Sequence, residues 1–191
     1  MQKVQDEKYL VSEVLSGNRE AFVQLIRQYE GLVLHIVTPL VGAEVDREDI
    51  CQDVFIKVYE KMDTFQFKSK LATWIGNIAY NRSINYLQKK KNILLSNIVS
   101  PENELSFIDS INIDSDNPER IIIRKEEIAQ LNQSINMLPE FQKTVLLLFY
   151  KEEMSLNEIS EILEMPVNTV KSHLFRAKST LKQLMTKKEI I

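Results

Sequence analysis

Residues 155–184, SLNEISEILEMPVNTVKSHLFRAKSTLKQL, carry a set of side chains whose chemistry suits a nucleic acid. Setting aside the apolar positions of the second half leaves Asn168, Thr169, Lys171, Ser172, His173, Arg176 and Lys178 facing outward, mostly hydrogen-bond donors that can reach phosphates or base edges in a major groove. Phe175, among polar neighbours, could meet a thymine methyl or a sugar. A second set lies upstream. Asn77, Asn81 and Asn85 recur every four residues, which on a helix draws an amide stripe suited to base edges. A third holds acids and an amide, Asp49, Gln52 and Asp53, on a helical pattern whose opening acids Asp46, Glu48 and Asp49 also complement the helix dipole.

Positioning these groups requires particular elements. Ser155 as N-cap with Glu158 three residues on completes a capping box, and Pro166 punctuates a turn. Leu156, Ile159, Ile162 and Leu163 face inward on the first helix, and Val167, Val170, Leu174 and Leu181 on the second. Small Ser160 sits where the helices approach, and the whole reads as a helix-turn-helix. Towards the N-terminus, Ala21, Phe22, Leu25, Ile26, Tyr29, Leu32, Val33 and Ile36 recur at helical spacing, with a break expected around Thr38-Pro39 and Gly42. Ile50, Val54, Val58 and Met62 form the next stripe. Leu71, Trp74, Ile75, Ile78, Ala79 and Leu87 form another, with Trp74 read as core. Periodicity fails between about Asn92 and Asn117, where Ser, Asn and acids dominate. The expectation is an all-α chain of two small helical domains, residues 1–91 and 118–191, joined by a flexible acidic linker at 92–117.

Composition narrows the function. With only 4 Gly and 5 Pro there is little provision for tight β-turns. A net charge of −3 argues against coating nucleic acid by bulk attraction, so binding must come from local basic patches. Cys51 is the only cysteine, which excludes an intrachain disulfide or a cysteine zinc cluster and leaves it a packing role. No apolar run approaches the ~20 residues of a membrane span, and MQKVQDEKYL lacks the apolar core of a secretory signal, so a cytoplasmic protein without membrane insertion is expected.

Two stretches resemble one family. LPEFQKTVLLLFYKEEMSLNEISEILEMPVNTVKSHLFRAKSTL is similar to region four of bacterial RNA polymerase sigma factors, and DREDICQDVFIKVYEKMDTF with LATWIGNIAYNRSINYLQKKK resembles region two. The order and the short spacer resemble the extracytoplasmic-function class. This resemblance implies a non-enzymatic promoter-binding protein without cofactor or metal, acting in response to an envelope or extracellular signal. Its implied partners are core polymerase, promoter DNA and an anti-sigma factor, and it would be monomeric on polymerase. It assigns Asp49, Gln52 and Asp53 to the polymerase clamp. Phe65, Gln66, Phe67, Lys68 and Ser69, with Asn77, Asn81 and Asn85, go to capture of an unstacked minus-ten base. Lys89 and Lys90 go to adjacent phosphates, and the outward residues of the last helix to the minus-thirty-five element. The linker acids Glu102, Glu104, Asp109, Asp114 and Asp116 would mimic a phosphate chain in the polymerase channel. Glu164 stands where family turns commonly have Gly, Asn168 where Gly often precedes Thr169, and Lys143 where Arg is usual. Tyr80 replaces a common basic residue and Asn85 a frequent Asp. The first three departures imply an altered turn, and the last two a minus-ten preference of its own.

Two other readings compete. VNTVKSHL also resembles the effector domain of LuxR-type response regulators, which would bind duplex DNA without polymerase. Asp46, Asp49 and Asp53 could serve a carboxylate-metal hydrolase, although no HExxH accompanies them.

Overall fold

The structure, a computed structural model, describes residues 2–42, 44–94 and 128–188. Its regular elements are helices: α1 (Gln2–Leu15), α2 (Arg19–Val41), α3 (Glu44–Lys61), a 3-10 turn at Met62–Thr64, α4 (Leu71–Leu94), α5 (helical residues 128–136), α6 (Glu140–Tyr150), α7 (Leu156–Ile162) and α8 (Val167–Lys188). The acidic linker and its five carboxylates lie outside the described residues, apart from 92–94, which continue α4.

Local chemistry sets the helix ends. The Asn18 side chain accepts from the amides of Glu20 and Ala21 at 3.0 and 3.3 Å and so caps α2. The break expected around Thr38-Pro39 and Gly42 falls at Gly42, with Pro39 carried inside the last turn of α2. A proline there removes only the bond to the His35 carbonyl, and Thr38, Pro39, Leu40 and Val41 are all buried, which offsets the loss. Gly42 ends the helix at φ 79°, its N–H donating to the Thr38 carbonyl.

Helix α2 is the central element. It packs against α1, α3, α4 and α6, and buries Leu25, Tyr29, Leu32, Val33 and Ile36. The expected stripes of α3 and α4 are inward: Ile50, Val54, Val58 and Met62 are buried, as are Leu71, Ile75 and Ala79. Trp74 is half-buried, its ring 5.2 Å from that of Phe65.

Helix α6 is apolar almost all round, as its sequence EFQKTVLLLFY requires if it is covered on two sides. It touches α2 on one side and α8 on the other, while α7 lies on α4 and α8. The two expected helical domains pack directly against one another in this conformation, so that the buried residues of both halves form one continuous core. Lys143 of α6 is caught in it at 5% exposure, its ammonium donating to Asn136 Oδ1 at 2.6 Å.

Candidate nucleic-acid interface

The α7–turn–α8 unit is built from the bonds the sequence announces. Ser155 Oγ accepts from the Glu158 amide at 3.3 Å, and Glu158 Oε2 accepts from the Ser155 amide at 2.8 Å. The Ser160 hydroxyl donates to the Met165 carbonyl, so this small residue also ties the turn. The Pro166 carbonyl accepts from the amides of Thr169 and Val170, which starts α8. Val170, Leu174 and Ala177 point inward. That leaves Asn168, Thr169, Lys171, Ser172 and Arg176 exposed, and Phe175 is 73% exposed. Lys178 is also exposed, with its ammonium 5.6 and 5.2 Å from the ring centroids of Phe149 and Tyr150, a cation–π arrangement. His173 departs from the expected outward face. It is half-buried, its Nδ1 lies out of solvent, and its ring centroid is 6.3 Å from that of Phe141.

The loop before α4 divides. Phe65, expected among the DNA-facing residues, is buried instead, at 4.6 Å from the Phe67 ring and 5.2 Å from Trp74. It supports the loop from beneath, because a phenyl ring gains more by joining the core than by facing water. Gln66, Phe67 and Lys68 are exposed and Ser69 is half-buried. Phe67 has φ 55°, a left-handed conformation that costs a non-glycine residue on the order of 1 kcal/mol and is often found at functional sites. Its exposed ring lies beneath the Lys8 ammonium at 5.7 Å.

The amide stripe on α4 is mostly occupied by the chain itself. Asn77 Nδ2 donates to the Glu161 carbonyl at 3.4 Å and to Glu164 Oε1 at 3.5 Å. Asn81 Nδ2 donates to Glu164 Oε1 and to Asn77 Oδ1, both at 3.1 Å. Asn85 and Lys89 are exposed. Lys90 pairs with Asp46 at 3.4 Å and donates to Tyr86 Oη at 3.0 Å. The Tyr86 hydroxyl donates to Asp46 and, with Lys90, holds that carboxyl below its usual range.

On α3, Asp49, Gln52 and Asp53 are exposed and share a face opposite the buried stripe. Ile56 and Tyr59, 56% and 52% exposed, extend that face as an apolar strip that the sequence reading missed; the sign was an isoleucine outside the buried period. Cys51 is half-buried and burial pushes its thiol up to about 11, which leaves it protonated at neutral pH. Asp46 engages Tyr86 and Lys90 rather than Asp49 and Asp53. Among the described residues no three His, Cys, Asp or Glu side chains converge as metal ligands would.

Residues 25–93 match Sigma-70 region 2 and residues 128–181 match Sigma-70, region 4. Over 177 residues, covering 92% of this chain and 95% of the relative, the sequence is 32% identical to the ECF RNA polymerase sigma factor SigW of Bacillus subtilis. The chain belongs to the extracytoplasmic-function group of the sigma-70 family. Other relatives of this sigma factor are the RNA polymerase sigma-H factor of Pseudomonas aeruginosa, 30% identical with 93% and 92% of the two chains covered, and the ECF RNA polymerase sigma-E factor of Escherichia coli, 30% identical with 92% of each covered. Its fold is shared with the sigma factor RpoE of Bartonella quintana, solved with the anti-sigma factor NepR, at a TM-score of 0.65 and 20% identity over 86% of this chain and 96% of that one. CnrH, solved with the cytosolic domain of CnrY, superposes at a TM-score of 0.61 and 19% identity over 94% and 96%. The response-regulator reading accounts for only the C-terminal motif and leaves the region 2 match unexplained.

Proposed function

We propose a division of labour for this sigma factor as it directs RNA polymerase core to promoters. The α3 face of Asp49, Gln52 and Asp53 holds the polymerase clamp, an acidic and amide-bearing surface offered to a basic partner. The loop with Gln66, Phe67, Lys68 and Ser69, together with Asn77, Asn81 and Asn85, takes the minus-ten strand by base capture and stacking. Lys89 and Lys90 hold neighbouring phosphates. The outer face of α8, with Asn168, Thr169, Lys171, Ser172, Phe175, Arg176 and Lys178, reads the minus-thirty-five element, with His173 contributing from a more sheltered position. Residues 1–91 and 118–191 act as the two working units, with 92–117 between them. Melting of the promoter draws on binding energy rather than on a catalysed step.

The observation that supports this reading most is the exposed donor face of α8 in a chain that also carries an exposed acidic face on α3. The protein works in the cytoplasm as a monomer on polymerase, requires no metal or cofactor, and answers an envelope or extracellular signal. An anti-sigma factor restrains it, as NepR is bound to RpoE in the related structure. The test is reconstitution with core polymerase and a mobility shift on promoter fragments. Binding is expected only with core present, and an Asp49→Lys, Asp53→Lys protein should associate with core at least about tenfold more weakly. Sequence-specific duplex binding without polymerase would overturn the proposed dependence of promoter reading on core.

A further inference from the structure

Glu164 occupies an expensive position. Its φ of 50° lies in the left-handed region, where an L side chain is strained and glycine is not. Its carboxylate, however, is not idle: Oε1 accepts from the side-chain amides of both Asn77 and Asn81 across the boundary between the two halves of the chain. Around this contact the same pattern repeats. Glu158 of α7 pairs with Lys70 at 2.7 Å, and Glu152 meets His35 Nδ1 at 2.6 Å. Ile162 fills the notch left by Gly76, where a Cβ would come within 2.8 Å of its Cδ1. The C-terminal half thus lays carboxylates against donors of the N-terminal half, as a nucleic-acid strand would lay its acceptor oxygens.

The geometry points to a self-masked ground state in which Glu164 is a latch: its carboxylate occupies the α4 amides in place of the minus-ten strand, and the α7 turn must lift away before that strand can enter. The latch rests on the proposed role of Asn77 and Asn81, but its closure is measurable without DNA. The Lys70–Glu158 pair is exposed at its lysine end, so it is screened by salt and adds little alone. The hydrogen bonds to Glu164 and the Gly76 notch carry the orientation.

The experiment uses the full-length protein with Cys51→Ser and spin labels at Asp63→Cys and Gln183→Cys, both exposed positions away from the contact. Electron–electron distance distributions are then compared with Glu164→Ala and Glu164→Gly added. Alanine keeps the left-handed strain and glycine removes it, yet both delete the carboxylate. Both should raise the ratio of long to short distances about tenfold, equivalent to about 1.4 kcal/mol. Asn81→Asp, which sets a like charge beside Glu164, should open the protein from the other side. A distance distribution unchanged by Glu164→Ala, or opening confined to the glycine variant, overturns the latch, since backbone relief would then be the cause. Association with core polymerase is read separately. Its failure in a protein that still closes would sink the functional assignment alone, and absence of a closed population in the protein that retains Glu164, with association intact, would sink only the latch.

Discussion

Lys143 carries an ammonium into the apolar seam between α2 and α6, where burial, and after it the nearby Arg47, lowers its pKa from the ordinary 10.5 to about 8. The sequence shows the lysine, but not that it would be buried, because burial depends on α2 covering that side of α6. The pH consequence has a definite sign. Below about pH 8 the group is charged both folded and unfolded, and the folded state bears the full cost of desolvation. Between about 8 and 10.5 the unfolded chain binds the extra proton, so stability rises with pH. The shift corresponds to roughly 3 kcal/mol. A Lys143→Met protein lacks this dependence. Urea unfolding should therefore find the wild type gaining on the variant, by up to roughly that amount, as pH rises from 7 to 10. A difference independent of pH would mean that the ammonium is solvated.

At the scale of elements, α7 and α8 were readable because each of their controls is local: the Ser155–Glu158 box, the Pro166 start and the apolar period of Ile159, Ile162, Val170 and Leu174. The misreadings sit where residue type and helix azimuth disagree. His173 is polar, yet it falls three residues after Val170 and four before Ala177, beside the buried stripe, and so turns inward. Phe65 lies in a loop, yet the Trp74 and Phe67 rings give it a place in the core. Lys171 and Arg176 remain on the exposed side. Lys171→Ala and Arg176→Ala should each weaken holoenzyme binding at the minus-thirty-five element by ~1–3 kcal/mol where they meet bases. A contact to phosphate alone would lower affinity for all sequences together and make the salt dependence shallower by about one unit of log–log slope. Competition binding on promoter variants at two salt concentrations separates base from phosphate contacts. Full affinity in both variants would remove α8 as the reading helix.

For the whole molecule, periodicity told which face of each helix is apolar but not which helix covers it, so the joining of the two halves was out of reach of the sequence. The apolar circumference of α6 and a glycine inside α4 were its only traces. Gly76 makes that joining testable. Alanine there would favour α4 by about 1 kcal/mol from helix propensity alone. In the closed molecule, however, its Cβ would lie 2.8 Å from Ile162 Cδ1 and 3.3 Å from Ile36 Cδ1, an overpacking that typically costs ~1–3 kcal/mol. The propensity gain is therefore expected to be cancelled or reversed. Ile162→Val removes the Cδ1 atom and by itself should cost about 0.5–1.5 kcal/mol. With Gly76→Ala in place the same change relieves the clash, so the double variant should be more stable than the two single effects sum to, by about 1 kcal/mol or more. Equilibrium unfolding of the four proteins measures that coupling. Additive effects would show that α4 and α7 are not in contact in solution, because residues so far apart in the chain can couple this strongly only through the packed interface.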